Sequence, residues 1–269
     1  MSTHRACVRG ETCQVPTQST CTDAVMTERI SRRGAMTGAL AVVLAVAPDV
    51  FLLNDGVAAA KPDDQPVSET IRWGLLVDVT KCAEGCSSCV DACREEHGWA
   101  GFGRPATDPQ WIRKVSLKER GSGHTVSLPV MCQHCEYPPC VDVCPTGASF
   151  RRSDGIVLVD RHICIGCRYC MMACPYNARS FVHEALKDQY PHMPRGKGCV
   201  ESCTLCAHRI DRDQPLACVK RCTDIGHQAL VFGDLNDPSS EIAQRLAAYS
   251  SVRIRQDLKT NPGIYYQGL

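Results

Sequence analysis

Hydrophobic positions along this chain come in short runs separated by polar, glycine-rich stretches, and one run is apolar without interruption. Ala39 to Ala47 reads Ala-Leu-Ala-Val-Val-Leu-Ala-Val-Ala, nine residues closed by Pro48-Asp49. A bilayer-spanning helix needs about 20 apolar residues, so this run is too short to be one. Elsewhere the pattern is that of small sheets. Trp111 to Leu117 and Thr125 to Leu128, on either side of Gly121-Ser122-Gly123, predict one hairpin. Ala148-Ser149-Phe150 and Gly155 to Val159, turning through Ser153-Asp154-Gly155, predict a second and shorter one. Helical spacing is clearest near the C-terminus, where Ile242, Leu246 and Tyr249 follow Asp237-Pro238-Ser239-Ser240. That predicts a capped helix with Pro in its first turn and a packing stripe on one face. The remainder reads as loop with short helices.

What precedes the apolar run changes its meaning. Ser31-Arg32-Arg33-Gly34 is a twin-arginine pair, and Val57-Ala58-Ala59-Ala60 supplies small residues beyond the run. Charged, apolar and cleavable segments in that order predict a twin-arginine signal peptide over residues 1–60, cleaved after Ala60. A longer reading from Ala35 to Leu53 would make it a retained anchor, and Met26 is an alternative start. Two domains of the exported chain are expected to follow: a cluster-binding domain over 61–235, and a C-terminal helix and tail over 236–269.

The 269 residues contain 20 Cys but only 15 aromatic residues, so something other than aromatic packing must hold the core. The net charge of +1 argues against nucleic acid as a partner. Apart from Cys7, Cys13 and Cys21, every Cys lies between Cys82 and Cys222, and all of these but Cys199 fall into four runs. Run one is Cys82-x3-Cys86-x2-Cys89-x3-Cys93. Run two is Cys132-x2-Cys135-x4-Cys140-x3-Cys144-Pro145. Run three is Cys164-x2-Cys167-x2-Cys170-x3-Cys174-Pro175, and run four is Cys203-x2-Cys206-x11-Cys218-x3-Cys222.

Run three has the bacterial-ferredoxin spacing, in which three close thiolates wrap one cubane and the Cys before Pro ligates the partner cluster. Such runs therefore occur in twos, and soft thiolates in fours suit iron or zinc, not calcium or magnesium. Disulfides would need strained local bridges within each C-x2-C. Zinc would need paired knuckles, which run four alone could offer. Haem attachment needs His after a C-x2-C, but those positions hold Val90, Glu136, Arg168, Met171 and Ala207. The Gly101-x-Gly103-x-x-Ala106 sequence fits a dinucleotide fingerprint in form only, since Pro105 interrupts it and no strand precedes it. His134 and His162, beside Cys, are expected to pack near sulfur, and Cys199 to be a buried or free thiol.

The runs Pro138-Pro139-Cys140 to Ala148 and Asp160-Arg161-His162-Ile163-Cys164 to Tyr176 resemble the four-cluster iron-sulfur subunits of membrane-bound oxidoreductases of the polysulfide and dimethyl sulfoxide reductase type. That resemblance implies an α+β fold of two ferredoxin-like cluster-binding modules with short hairpins and many loops. It also implies that runs one and four pair, and runs two and three. Carried over, Cys82, Cys86, Cys89 and Cys222 would hold cluster 1, and Cys93, Cys203, Cys206 and Cys218 cluster 2. Cys132, Cys135, Cys140 and Cys174 would hold cluster 3, and Cys144, Cys164, Cys167 and Cys170 cluster 4, each a [4Fe-4S] centre. Run one departs from the wider pattern in its x3 spacing, and no Pro follows Cys93 or Cys222. The segments Gly196 to Cys206, Cys222 to Leu230 and Phe232 to Pro238 look most like DsrO-type periplasmic subunits of the Dsr transmembrane complexes of dissimilatory sulfur metabolism.

With a full set of four thiolates on every cluster no iron is open to substrate, which implies electron transfer and no catalytic residue. The implied partners are a polytopic quinone-reactive membrane subunit and a periplasmic multihaem c-type cytochrome. The alternative is the electron-transfer subunit of a molybdopterin reductase acting on polysulfide, thiosulfate or tetrathionate. Each oxidised cubane with four thiolates carries −2, so four of them turn the chain's balance to about −7. Arg168, Arg161 and Lys81, next to ligands in sequence, are candidates for raising the potentials.

Overall fold

A computed structural model describes residues 66–187 and 189–269, so the leader lies outside the described residues. Nine strands and six helices follow in order: β1 (Trp73–Asp78), α1 (Ser88–His97), β2 (Ile112–Lys118), β3 (Thr125–Met131), α2 (Pro139–Asp142), β4 (Ser149–Arg151) and β5 (Val157–Val159). Then come α3 (Tyr169–Ala173), β6 (Arg179–Phe181), β7 (Val200–Ser202), α4 (Ala207–Ile210), α5 (Ala217–Asp224), β8 (Leu230–Asp234), α6 (Glu241–Ala248) and β9 (Ile264–Gln267). The result is a mixed α/β structure of small sheets and few helices. No helix among the described residues is long and apolar enough to cross a membrane.

Both hairpins anticipated from the sequence are present, β2 with β3 and β4 with β5, each antiparallel. A third, β6 with β7, pairs residues about 20 apart in sequence and had no turn signature. The largest sheet was not anticipated either. Its order is β8-β1-β9, with β1 antiparallel to β8 and parallel to β9. β1 is apolar along its length because both its faces are covered. Leu75 and Val77 enter the main core with Trp111, Leu128, Ile264 and Tyr266, while Leu76 packs with Val231 and Ile242 on the opposite side.

The residues after α6, expected as a tail, supply β9, in which Ile264 and Tyr266 are fully buried. Helix α6 caps the sheet. Its N-cap is Ser240, whose side chain accepts from the Ala243 N–H, so Pro238 lies before the cap and not in the first turn. The close approach of α6 needs Gly233, since a Cβ there would meet Ile242 Cγ2 at 2.9 Å. Ile242 carries the packing stripe and Leu246 joins it, whereas Tyr249 is exposed.

Candidate cluster-binding sites

Helix α1 places Cys89 and Cys93 four residues apart on one buried face, and α5 does the same with Cys218 and Cys222. Thiols at this spacing are about one helical turn apart, so one helix serves two adjacent cages. Cys82, Cys86, Cys89 and Cys222 line one pocket, termed cage A. Cys93, Cys203, Cys206 and Cys218 lie close enough to perturb one another's ionisation and form cage B. The shorter helices repeat the device. α2 carries Cys140 and ends just before Cys144, and α3 carries Cys170 and ends at Cys174. Cys132, Cys135, Cys140 and Cys174 gather as cage C. Cys144, Cys164, Cys167 and Cys170 line another pocket, cage D.

Three of the C-x2-C loops curl with their second intervening residue in the left-handed conformation: His134 at φ 42°, Leu205 at φ 51° and Gly166 at φ 71°. In the first two, ordinary side chains bear that conformation, which is uncommon outside Gly and Asn. Gly166 has no choice, since a Cβ would lie 2.2 Å from the Gly198 carbonyl oxygen.

The cages form a row. A and B share α1 and α5, Cys132 of C helps to raise the Cys203 thiol of B, and Cys170 of D helps to raise the Cys140 thiol of C. Exposure follows this order. All four thiols of B are buried, Cys82 and Cys86 at the A end are half-buried, and Cys167 at the D end is exposed. Ile163, Ile165, Tyr169 and Met172 around D are also exposed, Met172 at 74%.

The donor chemistry fits iron-sulfur clusters. Burial pushes the thiols of Cys89, Cys135 and Cys206 up to about 12, 11 and 11, so without a cation these groups stay neutral. Converging buried thiols become thiolates when a soft cation compensates them, and iron in fours of sulfur does so. Unpartnered buried donors point the same way: Arg179 Nε and Nη1 find no acceptor although the side chain is buried beside Cys140. None of the described cysteines is disulfide-bonded.

Comparison with known proteins agrees with the donor set. The family described as a 4Fe-4S dicluster domain matches residues 124–234. The chain is 40% identical over 261 residues to the Hdr-like menaquinol oxidoreductase iron-sulfur subunit 1 of Archaeoglobus fulgidus, covering 87% of this chain and 96% of that one. It is 33% identical to a tetrathionate reductase subunit of Salmonella typhimurium, with 84% of each chain covered. It is 36% identical to a sulfite dehydrogenase subunit of Allochromatium vinosum, over 72% of this chain and 82% of the relative. The chain belongs to the family of 4Fe-4S iron-sulfur subunits of oxidoreductase complexes.

In this 4Fe-4S subunit the groups that touch the cage sulfurs are the ones placed to tune a bound cluster. Backbone N–H donors are Ala229 to Cys222 at 3.3 Å, Leu205 to Cys203 at 3.4 Å and Ser149 to Cys144 at 3.3 Å. Burial would raise the Cys144 thiol, but the Ser149 N–H and the Thr146 hydroxyl outweigh it and hold it below the ordinary value. The Trp99 indole donates to Cys93 at 3.4 Å. Charged donors are Lys114, at 2.8 Å from Cys82, and Arg179, at 3.1 Å from Cys140.

These are not the cations anticipated from sequence adjacency. Arg168 lies over the Phe181 ring at 3.9 Å, and Lys81 pairs with Asp78 at 3.6 Å. Arg161 donates to the Pro194 carbonyl at 2.6 Å and lies over Trp111. Residues flanking a ligand are carried outward by the loop, whereas the cations that reach sulfur point inward from β2 and β6, far in sequence from the cysteines they touch. His134 is buried, its Nδ1 accepting from Val157 N at 3.1 Å, and His162 is exposed. The Cys199 thiol is buried and donates to the Arg161 carbonyl at 3.3 Å.

Two ion pairs hold the cages' surroundings. Glu201, fully buried and two residues before Cys203, receives both Arg195 Nε and Nη2 at 2.9 and 2.8 Å. Glu96 on α1 accepts from His208 and Arg209, each at 2.8 Å, which fastens α1 to run four. His192 lies beside this pair, and both Glu96 carboxylate oxygens are already engaged.

Proposed function

We propose that this chain is the periplasmic electron-transfer subunit of a quinone-linked membrane complex of dissimilatory sulfur metabolism, of the DsrO type. It carries single electrons through four [4Fe-4S] clusters, held in cages A to D by two ferredoxin-like modules. The observation that carries the reading is the row of cages. Adjacent cages share a helix or face each other through buried thiols; all four thiols of B are buried, the exposed thiol Cys167 lies at the D end, and Cys82 and Cys86 at the A end are half-buried, as is Cys174 of C. Each cluster supplies a one-electron site. Full thiolate sets leave no iron for substrate, so the subunit itself is not catalytic.

The similarity to a menaquinol oxidoreductase subunit over 96% of that protein's length supports the quinone-linked reading. The apolar rim of cage D is surface suited to packing against another protein of the complex. Partners in this reading are a polytopic quinone-reactive membrane subunit and a periplasmic multihaem c-type cytochrome. Export follows the twin-arginine route, because clusters are built before the folded protein crosses. Replacing Arg32-Arg33 by Lys-Lys should leave the holoprotein inside the cell.

A second reading has its own support in the similarity to the tetrathionate reductase subunit. There the chain would serve a molybdopterin subunit with identical internal chemistry. Purification of the complex from membranes separates the two. A c-type cytochrome with a polytopic subunit is the outcome expected; a co-purifying molybdopterin subunit would overturn the first reading in favour of the second. Iron analysis should give about sixteen iron per chain.

A further inference from the structure

We infer that Arg179 is a positioning residue that raises the reduction potentials of the clusters in cages C and D together, its guanidinium standing between their cysteine ligands. The inference rests on the proposed assignment of those cages to clusters.

Arg179 opens β6, and the register Arg179↔Ser202 fixes its backbone against the residue that precedes Cys203. Its side chain runs inward and is buried, with 4% of the residue exposed. Nη2 donates to Cys140 Sγ of cage C at 3.1 Å, and the thiols of Cys170 of cage D and Cys132 of cage C are its other sulfur neighbours. The buried ring of His134 lies near it, its Nδ1 already accepting from the Val157 N–H at 3.1 Å.

The unusual feature is what Arg179 lacks. The other fully buried arginine, Arg195, meets Glu201, and half-buried Arg152, Arg245 and Arg72 also meet carboxylates, whereas half-buried Arg113 and Arg161 donate to backbone carbonyls. Arg179 has no carboxylate within 4.0 Å among the described residues, and its Nε and Nη1 have no acceptor at all. A buried guanidinium without a carboxylate is costly unless another anion compensates it. The thiolates of cages C and D are the anions within reach, and reducing either cluster adds one negative charge beside a fixed positive one. Such a charge favours the reduced form of both clusters, and hydrogen bonds to ligand sulfur act in the same direction. Arg179 stands at the junction of C and D, so cages A and B, farther along the row, should feel it little.

The test is an EPR-monitored redox titration of the full holoprotein, comparing Arg179→Gln and Arg179→Lys with the parent. Gln keeps hydrogen-bonding capacity and removes the charge; Lys keeps the charge and gives up the fork. In the Gln variant, the reduced-to-oxidised ratio of two of the four clusters at a fixed potential should fall about tenfold, which is 59 mV for a one-electron couple. The Lys variant should stay within about threefold of the parent at all four. Unchanged potentials in Gln, or an equal fall at all four clusters, would overturn the inference. If the Gln variant loses iron, the Lys variant decides. Full iron with potentials near the parent's supports the role of charge; full iron with a tenfold fall overturns it, as does iron loss in both variants, which would make Arg179 an assembly residue. Failure of the functional reading is separately visible, since the parent itself would then hold about eight iron per chain instead of about sixteen.

Discussion

Lys114 donates its ammonium to the Cys82 sulfur at 2.8 Å, joining the long hairpin to the first cysteine of run one. Lys114 sits on β2 opposite Pro129 of β3, both strands belonging to the insertion between runs one and two. That insertion therefore does more than lengthen the chain, because it returns a cation to cage A. A hydrogen bond to a charged acceptor contributes about 1.5–3 kcal/mol. Lys114 is only half-buried, so solvent reduces this to about 1 kcal/mol. Lys114→Met should lower the reduced-to-oxidised ratio of the cage A cluster about fivefold at fixed potential, with cage D unmoved. Potentiometric EPR on the purified complex measures this, and a change confined to cage D would contradict the contact.

Gly166 is where cage D tolerates least change. Its left-handed backbone costs any other residue about 1–3 kcal/mol, and the Gly198 carbonyl stands where a Cβ would go. Neither obstacle yields cheaply, since the second is backbone. Gly166→Ala should push Cys164 and Cys167 apart from Cys170, and the iron content should drop by about a quarter as one cluster of four is lost. Gly198→Ala is the companion variant: its own Cβ would meet nothing within 4 Å, though its φ of 86° carries strain. It should retain full iron and lose only modest stability.

The cysteine runs and both tight hairpins were legible in the sequence because spacing and turn residues are local signals. Ser149–Arg151 with Val157–Val159 needs only the Asp154-Gly155 turn between them. The β8-β1-β9 sheet was not legible, since it pairs Leu75 with Phe232 and with Ile264 across most of the chain, and no local pattern encodes that. The same distance hid the sulfur donors. Arg179 follows Cys174 by five residues yet approaches Cys140, and Lys114 lies 32 residues from Cys82. Sequence adjacency instead pointed to Arg161 and Arg168, whose side chains leave the cages for a carbonyl and an aromatic ring.

Asp78 closes β1 and receives Arg245 of α6 at 2.7 Å and the Thr80 hydroxyl at 2.6 Å. Burial alone would raise its pKa, but Thr80 and Arg245 outweigh it and hold the carboxyl below its usual 3.8. The unfolded chain therefore takes up a proton at higher pH than the folded one. The pair's contribution is complete above pH 3.8 and fades as pH falls through that value toward the folded pKa. Asp78→Asn should cost about 2 kcal/mol at pH 7. In urea unfolding the gap between parent and variant should narrow below about pH 4; a gap that widens with acid would mean that the folded carboxyl titrates above the unfolded one.

Iron removal should affect the whole domain and not only its redox behaviour. The main core counts Cys89, Cys93, Cys132, Cys135, Cys203, Cys206, Cys218 and Cys222 among its buried members, interleaved with Trp111, Leu205 and Leu216. With the clusters in place these cysteines are bonded through iron and sulfide across separate elements, notably α1 and α5. Free thiols of raised pKa are neutral and cannot substitute for those bonds. Metal binding of this kind is folding free energy as well as function. Anaerobic oxidation with chelator should therefore leave far-UV circular dichroism partly retained, abolish the near-UV signal of Trp111 and Trp99, and raise dye binding, the signature of a compact state without fixed packing. The β8-β1-β9 sheet with α6 contains no cluster ligand, so amide exchange there should stay slowest as iron is lost. Uniform exchange across cages and sheet would instead mean that the clusters hold the entire chain.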